Sequence, residues 1–266
     1  MYHEFFEFKH VPFTRDIPTK SLFRSRDIDE VVGRLTFAAE QQLFAVVTGN
    51  PGSGKTTLIR KFTNELSPAK FLTLYLSDSK LTPRHFYKGL LEQLGSDSKF
   101  YRGDAKRQLH KEIELLRLVH KKLAVVIVDE AHLLDREMLE EVRFLLNYRM
   151  DSFSPMALIL AGQSELWDRL KLNAFAAIRQ RIDIKCELQA YDRAAAEQYI
   201  RTHLAYAGTV NDIFTEKAYD EIYSYSFGSA RLINKACTHC LMLAAQQGRK
   251  IVDDYLVRDV IEGELP

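Results

Sequence analysis

Residues Gly49-Asn50-Pro51-Gly52-Ser53-Gly54-Lys55-Thr56 follow an apolar run at 43–47 and open a helix-like segment. That spacing suits a polyphosphate: the glycines let successive backbone N–H groups point at phosphate oxygens with no Cβ in the way. Lys55 would then reach the β and γ phosphates and the Thr56 hydroxyl would ligate Mg²⁺, the whole nucleotide-binding set running on through Thr57. A second apolar run, Val125-Val-Ile-Val, ends in Asp129-Glu130. At the C-terminal edge of a parallel sheet, Asp129 is placed to hold Mg²⁺ through water and Glu130 to polarise an attacking water.

Three further polar groups stand at equivalent boundaries. Gln163, after the apolar run 156–161, would point between the γ-phosphate and the water; the alternative is a helix start that Ser164 caps. Arg179 and Arg181 precede the last apolar run. Either guanidinium could spread transition-state charge on a neighbouring subunit's nucleotide, the alternative being an exposed basic turn. Arg231 falls in the first turn of a late helix and could reach back to the phosphates, or could be a surface arginine.

These groups need strands behind them and helices between them. Apolar β-type runs at 43–47, 71–76, 124–128, 156–161 and, more weakly, 182–188 are separated by segments that suit helices at 56–66, 83–94 with 105–120, 136–149 and 165–178. Unbroken apolar strands alternating with helices predict a five-stranded parallel sheet covered on both faces, an α/β sandwich. Residues 27–42 predict a helix leading into the first strand. After residue 188 the pattern is purely helical, at 192–206, 215–226, 230–247 and 253–262. The expected organisation is an aromatic N-terminal arm at 1–26, an αβα nucleotide-binding domain at 27–189 and a small all-helical lid domain at 190–266.

Of the 266 residues, 46% are hydrophobic and 27% charged, with a formal net charge of +1. No apolar run approaches the roughly 18 residues that span a bilayer, and the aromatic, acidic start is unlike a signal peptide. A soluble, cytoplasmic protein without membrane partners is expected, and the three cysteines cannot build a disulfide framework. Cys237-Thr-His-Cys240 has no second ligand pair at a matching spacing, so these are read as buried helix cysteines.

The order of Gly49–Thr56, 125–130, Gln163, Arg181 and the Gly-x-x-Arg at 228–231 resembles an AAA+ P-loop ATPase. The opening FFEFKHVPF, "AGQSEL" and "RQRI" are similar to the family shared by secretion ATPases of the ExeA type and transposon helper ATPases of the TniB and TnsC kind. The resemblance covers nearly the whole chain. It implies an ATP-driven homo-oligomer, a ring or filament, with Lys55 and Thr56 on phosphates and Mg²⁺, Asp129 on Mg²⁺ and Glu130 as base. It also implies Gln163 and Arg231 as first and second sensors and Arg179 or Arg181 as finger. Gln163 departs from the Asn, Ser or Thr commonest across AAA+ proteins.

Secretion members of the ExeA type usually continue into a membrane span, and this chain stops at Pro266, so the transposition branch is favoured. It implies ATP-dependent assembly on double-stranded DNA, largely independent of sequence, and transfer of the target to a transposase. Candidate phosphate contacts are the loop residues Lys80, Thr82 and Arg84 and the basic segment with Lys99, Arg102 and Lys106; a solvated charged face is the alternative. A secretion or envelope-assembly ATPase, and a nucleotide switch acting on proteins alone, are the other functions this sequence admits.

Overall fold

Five strands, β1 (Phe44–Gly49), β2 (Phe71–Leu76), β3 (Leu123–Val128), β4 (Ala157–Gly162) and β5 (Ile184–Leu188), pair in parallel in the order β2-β3-β4-β1-β5. They are seen in a computed structural model that describes residues 2–78, 81–146, 154–209 and 211–265. The helices are α1 (Tyr2–Phe5), α2 (Arg26–Gln41), α3 (Lys55–Glu65), α4 (Pro83–Gln93), α5 (Arg102–Leu118), α6 (Arg136–Leu146), α7 (Ser164–Lys171), α8 (Ala176–Arg179), α9 (Arg193–Ala207), α10 (Glu216–Ser226), α11 (Ala230–Gln246) and α12 (Asp254–Gly263). By their contacts, residues 27–50 and 55–188 form one unit, and residues 1–26, 51–54 and 189–266 form another.

In the sheet unit the residues of β1 and β4 are buried throughout, whereas the edge strands β2 and β5 are partly exposed. A strand covered on both faces can be apolar at every position, and side-chain alternation sends its residues to opposite sides. Phe44, Val46, Val126, Val128, Leu158 and Leu160 pack on one face with residues of α4, α5 and α6. Ala45, Val47, Val125, Ile127, Ile159 and Ala161 pack on the other with residues of α2 and α3. The αβα sandwich expected from the alternating runs is the observed architecture.

One expected helix is broken. The segment 165–178 folds as α7, a 3₁₀ turn at Asn173–Phe175 and α8, because Leu172 adopts extended backbone at φ −62° and ψ 145°. Arg179 holds the break: its Nη1 donates to the carbonyls of Leu170 and Lys171, which have lost their helical partners. The expected helix end at 147–149 lies outside the described residues. Among the described residues no helix is long and apolar enough to cross a membrane.

The other unit is built on α9 to α12, and the aromatic arm belongs to it. Phe6, Phe13 and Phe23 are buried among Tyr199, Ile200, Leu204, Ile233 and Cys237. Cys237 and Cys240 are fully buried on α11, and burial raises both thiols, that of Cys240 to about 12. Thiols held neutral in this way are packing groups.

His203 ties the arm to α9. Its Nδ1 accepts the Phe13 N–H at 3.1 Å and its ring stacks on Phe13, while Nε2 is buried without a hydrogen-bond partner. Burial lowers its pKa from 6.5 to about 4. The unfolded chain therefore binds the extra proton more readily, so stability is complete above about pH 6.5 and falls as pH drops towards 4, by up to about 3 kcal/mol. Thermal unfolding across that window should show a steeper loss for the wild type than for His203→Gln. Parallel curves for the two proteins would refute the assignment.

Candidate nucleotide-binding site

β1 ends at Gly49 and α3 begins at Lys55, so the glycine-rich loop joins a central strand to a helix N-terminus. Gly52 and Gly54 adopt φ of +79° and +94°, a region open to glycine and costly for other residues. A Cβ on Gly52 would also lie 2.6 Å from Ser229 Oγ and 3.0 Å from Arg231 Cβ. Residues 51–54 group with the helical unit, and there the Arg231 N–H donates to the Gly52 carbonyl at 3.2 Å. The Arg231 side chain is exposed.

The sheet unit gathers the remaining groups. Lys55 is 8% exposed, and its Nζ donates to the carbonyls of Gly49 at 2.8 Å and Asn50 at 3.1 Å. Thr56 Oγ1 donates to Asp129 Oδ2 at 2.9 Å, bringing the start of α3 onto the end of β3. Asp129 is 2% exposed, and two more donors reach it: the Tyr75 hydroxyl to Oδ2 at 2.9 Å and the Glu130 N–H to Oδ1 at 2.8 Å. Three donors satisfy a carboxylate that burial would otherwise penalise. Burial first and the Asp129 bond second push the Tyr75 phenol up to about 12, keeping it a neutral donor.

Glu130 follows in left-handed backbone at φ 52° and ψ 30°, with its side chain 44% exposed. A non-glycine residue there costs of order 1 kcal/mol or more, and such positions cluster at functional sites. Gln163 stands at the N-cap of α7 without a side-chain cap bond. Beside it, Ser164 Oγ donates to Asn50 Oδ1 at 3.0 Å, so the end of β4 is fastened to the loop.

Tyr75, His132 and the Asn50–Ser164 link went unnoticed in the sequence. His132 had a local signal, since Asp129-Glu130-Ala131-His132 sets an imidazole two residues past the second acid. Tyr75 had none.

The two arginines before β5 differ. The Arg179 guanidinium caps the end of α7, as described above, while Arg181 is half-buried. The proposed DNA contacts separate in the same way. Lys80 lies outside the described residues, and Thr82 is the N-cap of α4, its Oγ1 accepting the His85 N–H. Arg102 pairs with Glu137 at 2.9 Å and with Glu141, and Lys106 lies 3.6 Å from Glu141, a carboxylate 1% exposed that also accepts the Tyr87 hydroxyl. Removing either cation would leave a buried negative charge undercompensated. Arg84 stacks its guanidinium 4.4 Å over Phe100, and the Lys99 side chain is exposed.

A model of the AAA domain family matches residues 38–170, half of the chain, and its span holds the loop, Asp129, Glu130 and Gln163. The chain belongs to the AAA domain family. Such a domain is an ATP-hydrolysing unit, which makes the chain an ATPase.

The chain is also similar to individual known proteins. It is 31% identical over 258 residues to "General secretion pathway protein A" of Aeromonas hydrophila, covering 95% of this chain and 46% of that protein. The chain thus spans about half of that relative's length. It is 24% identical over 240 residues to "ATP-dependent target DNA activator B" of Escherichia phage Mu, covering 87% of this chain and 70% of that one. In fold it is similar to a chain of Drosophila ORC bound to DNA, with a TM-score of 0.67 at 19% identity, covering 98% of this AAA chain and 64% of that one.

Proposed function

We propose that this AAA chain binds ATP with Mg²⁺, assembles as a homo-oligomer on double-stranded DNA in its ATP state, and serves a transposase as a target-selecting helper. The observation that carries the nucleotide part is the 2.9 Å bond between Thr56 and Asp129. It joins a hydroxyl and a carboxylate oxygen, both hard donors of the kind that suits Mg²⁺, at the mouth of the glycine loop. Thr56 and Asp129 would hold Mg²⁺ there, and the ion would supply neutralisation of phosphate charge.

The chain's own residues do the rest. Loop N–H groups and Lys55 hold the phosphates, Asp129 orients through its three donors, and Glu130 accepts the proton of the attacking water. Gln163 and Arg231 report the phosphate state from the ends of β4 and α11. Arg179 or Arg181 is the finger that meets a neighbouring subunit's nucleotide.

The DNA part is supported by the likeness to the phage target DNA activator, and among the described residues Arg84 and Lys99 are the basic candidates that remain after Arg102 and Lys106 are assigned to Glu141. Duplex contacts made to phosphates alone should weaken steeply with salt. Filter binding to random duplex should therefore show affinity with ATP, loss of it with ADP, and a log–log salt slope of about −0.9 for each phosphate neutralised. The higher identity to the secretion pathway protein favours a second reading, an ATPase that acts on a protein partner in secretion. Absence of ATP-dependent duplex binding at low salt would reject the first reading in favour of the second.

A further inference from the structure

His132 sits between the two groups on which hydrolysis turns. Its side chain is 12% exposed, and its Nδ1 lies 3.5 Å from Glu130 Oε2 and 3.4 Å from the backbone nitrogen of Gln163. The residue is held firmly: Arg169 Nη1 donates to its carbonyl at 2.8 Å and Nη2 to the Leu134 carbonyl at 2.7 Å. β4 closes on it from the other side. A Cβ on Gly162 would fall 2.9 Å from the His132 backbone nitrogen, so only glycine lets the strand end approach this turn.

The two neighbours of Nδ1 make opposite demands. The Gln163 N–H is a donor and needs a lone pair on Nδ1, with the ring proton on Nε2; the Glu130 carboxylate is an acceptor and needs that proton on Nδ1. One nitrogen cannot serve both. The ring therefore grips either the end of β4 or the carboxylate, and passing between them moves one proton from Nε2 to solvent and takes one from solvent at Nδ1. The ring's net charge is unchanged.

We propose that His132 is a positioning residue for ATP hydrolysis, aligning the Glu130 carboxylate in answer to the backbone of Gln163 at the end of β4. The inference rests on the reading of Glu130 as the base. Glu130 needs such a guide, because its half-exposed side chain springs from left-handed backbone with no other basic group within ion-pair distance among the described residues. When the β4 end shifts with the state of the γ-phosphate, His132 exchanges partners and the base is brought into line.

The test is steady-state ATP turnover by the full chain with His132→Ala, His132→Asn and His132→Gln, each also combined with Glu130→Gln, and with thermal unfolding as a check on folding. His132→Ala should lower kcat about tenfold and leave the KM for ATP within about twofold. His132→Asn sets an amide near the place of Nδ1 and should recover turnover to within about threefold of wild type. His132→Gln, whose amide falls near the place of Nε2, should not recover it, and this pair decides the matter should the alanine variant fail to fold. In the Glu130→Gln background, His132→Ala should change residual turnover by less than about twofold, because its target is gone. Wild-type kcat in His132→Ala, equal turnover in the Asn and Gln variants, or full additivity with Glu130→Gln would each overturn the inference. Wild-type turnover in Glu130→Gln alone would instead overturn the reading of the base beneath it.

Discussion

Lys55→Ala should abolish ATP binding at concentrations that saturate the wild type, with an expected loss of affinity on the order of 100-fold or more. The magnitude follows from what the side chain is. Its ammonium is 8% exposed and is already held at 2.8 Å and 3.1 Å on the carbonyls of Gly49 and Asn50, at the mouth of the loop. A desolvated cation that meets a polyphosphate contributes far more than one in water, and truncating one partner of such a pair costs about 2–5 kcal/mol. Part of the loss would come from the loop, since two carbonyls lose their donor. Lys55→Arg separates the contributions: it keeps the charge but forces a planar fork into a place shaped for a point charge, so binding should be partly retained. Equilibrium titration with a fluorescent ATP analogue measures both, and an alanine variant that binds within about threefold of wild type would remove Lys55 from the site.

Glu130→Gln should behave in the opposite way, keeping ATP affinity within about threefold while kcat falls by about 10² to 10⁴, the range a positioned general base supplies. The amide fills the same volume, leaves the backbone at φ 52° and preserves the N–H bond to Asp129, so the Asp129 carboxylate keeps its three donors. What is lost is the basicity of the carboxylate proposed to take a proton from water. If assembly follows the ATP state, this variant should also accumulate as an ATP-loaded oligomer, visible as a larger species by light scattering with ATP and not with ADP. Normal hydrolysis by Glu130→Gln would show that the water is activated elsewhere.

Both variants test residues that are legible without any structure. A glycine loop after an apolar strand and an acidic pair after another are contiguous patterns, because adjacent backbone groups must do one job together. Strand and helix alternation is legible for a similar reason: burial on both faces of a parallel sheet leaves unbroken apolar runs, and periods of two and 3.6 are properties of the local backbone. The break at Leu172 escaped that reading, since an apolar residue in extended backbone keeps the helical spacing around it nearly intact.

The charged residues show where local patterning stops. As a run, Lys99, Arg102 and Lys106 look like one basic surface, yet Arg102 and Lys106 serve a buried Glu141 that stands on α6, a helix beyond β3. Charge in a sequence reports a total, whereas the surface potential depends on which charges find partners.

By itself, the sequence determined the nucleotide chemistry of this chain, its parallel sheet and its late helices, because each is written in neighbouring residues. Only the tertiary structure decided that Tyr75 secures Asp129, that His132 lies between Glu130 and Gln163, and that Arg179 is a helix cap. Those pairings join residues of different elements. They follow from the order β2-β3-β4-β1-β5, which brings the ends of separate strands to one edge, and strand order is set by the packing of the whole sheet.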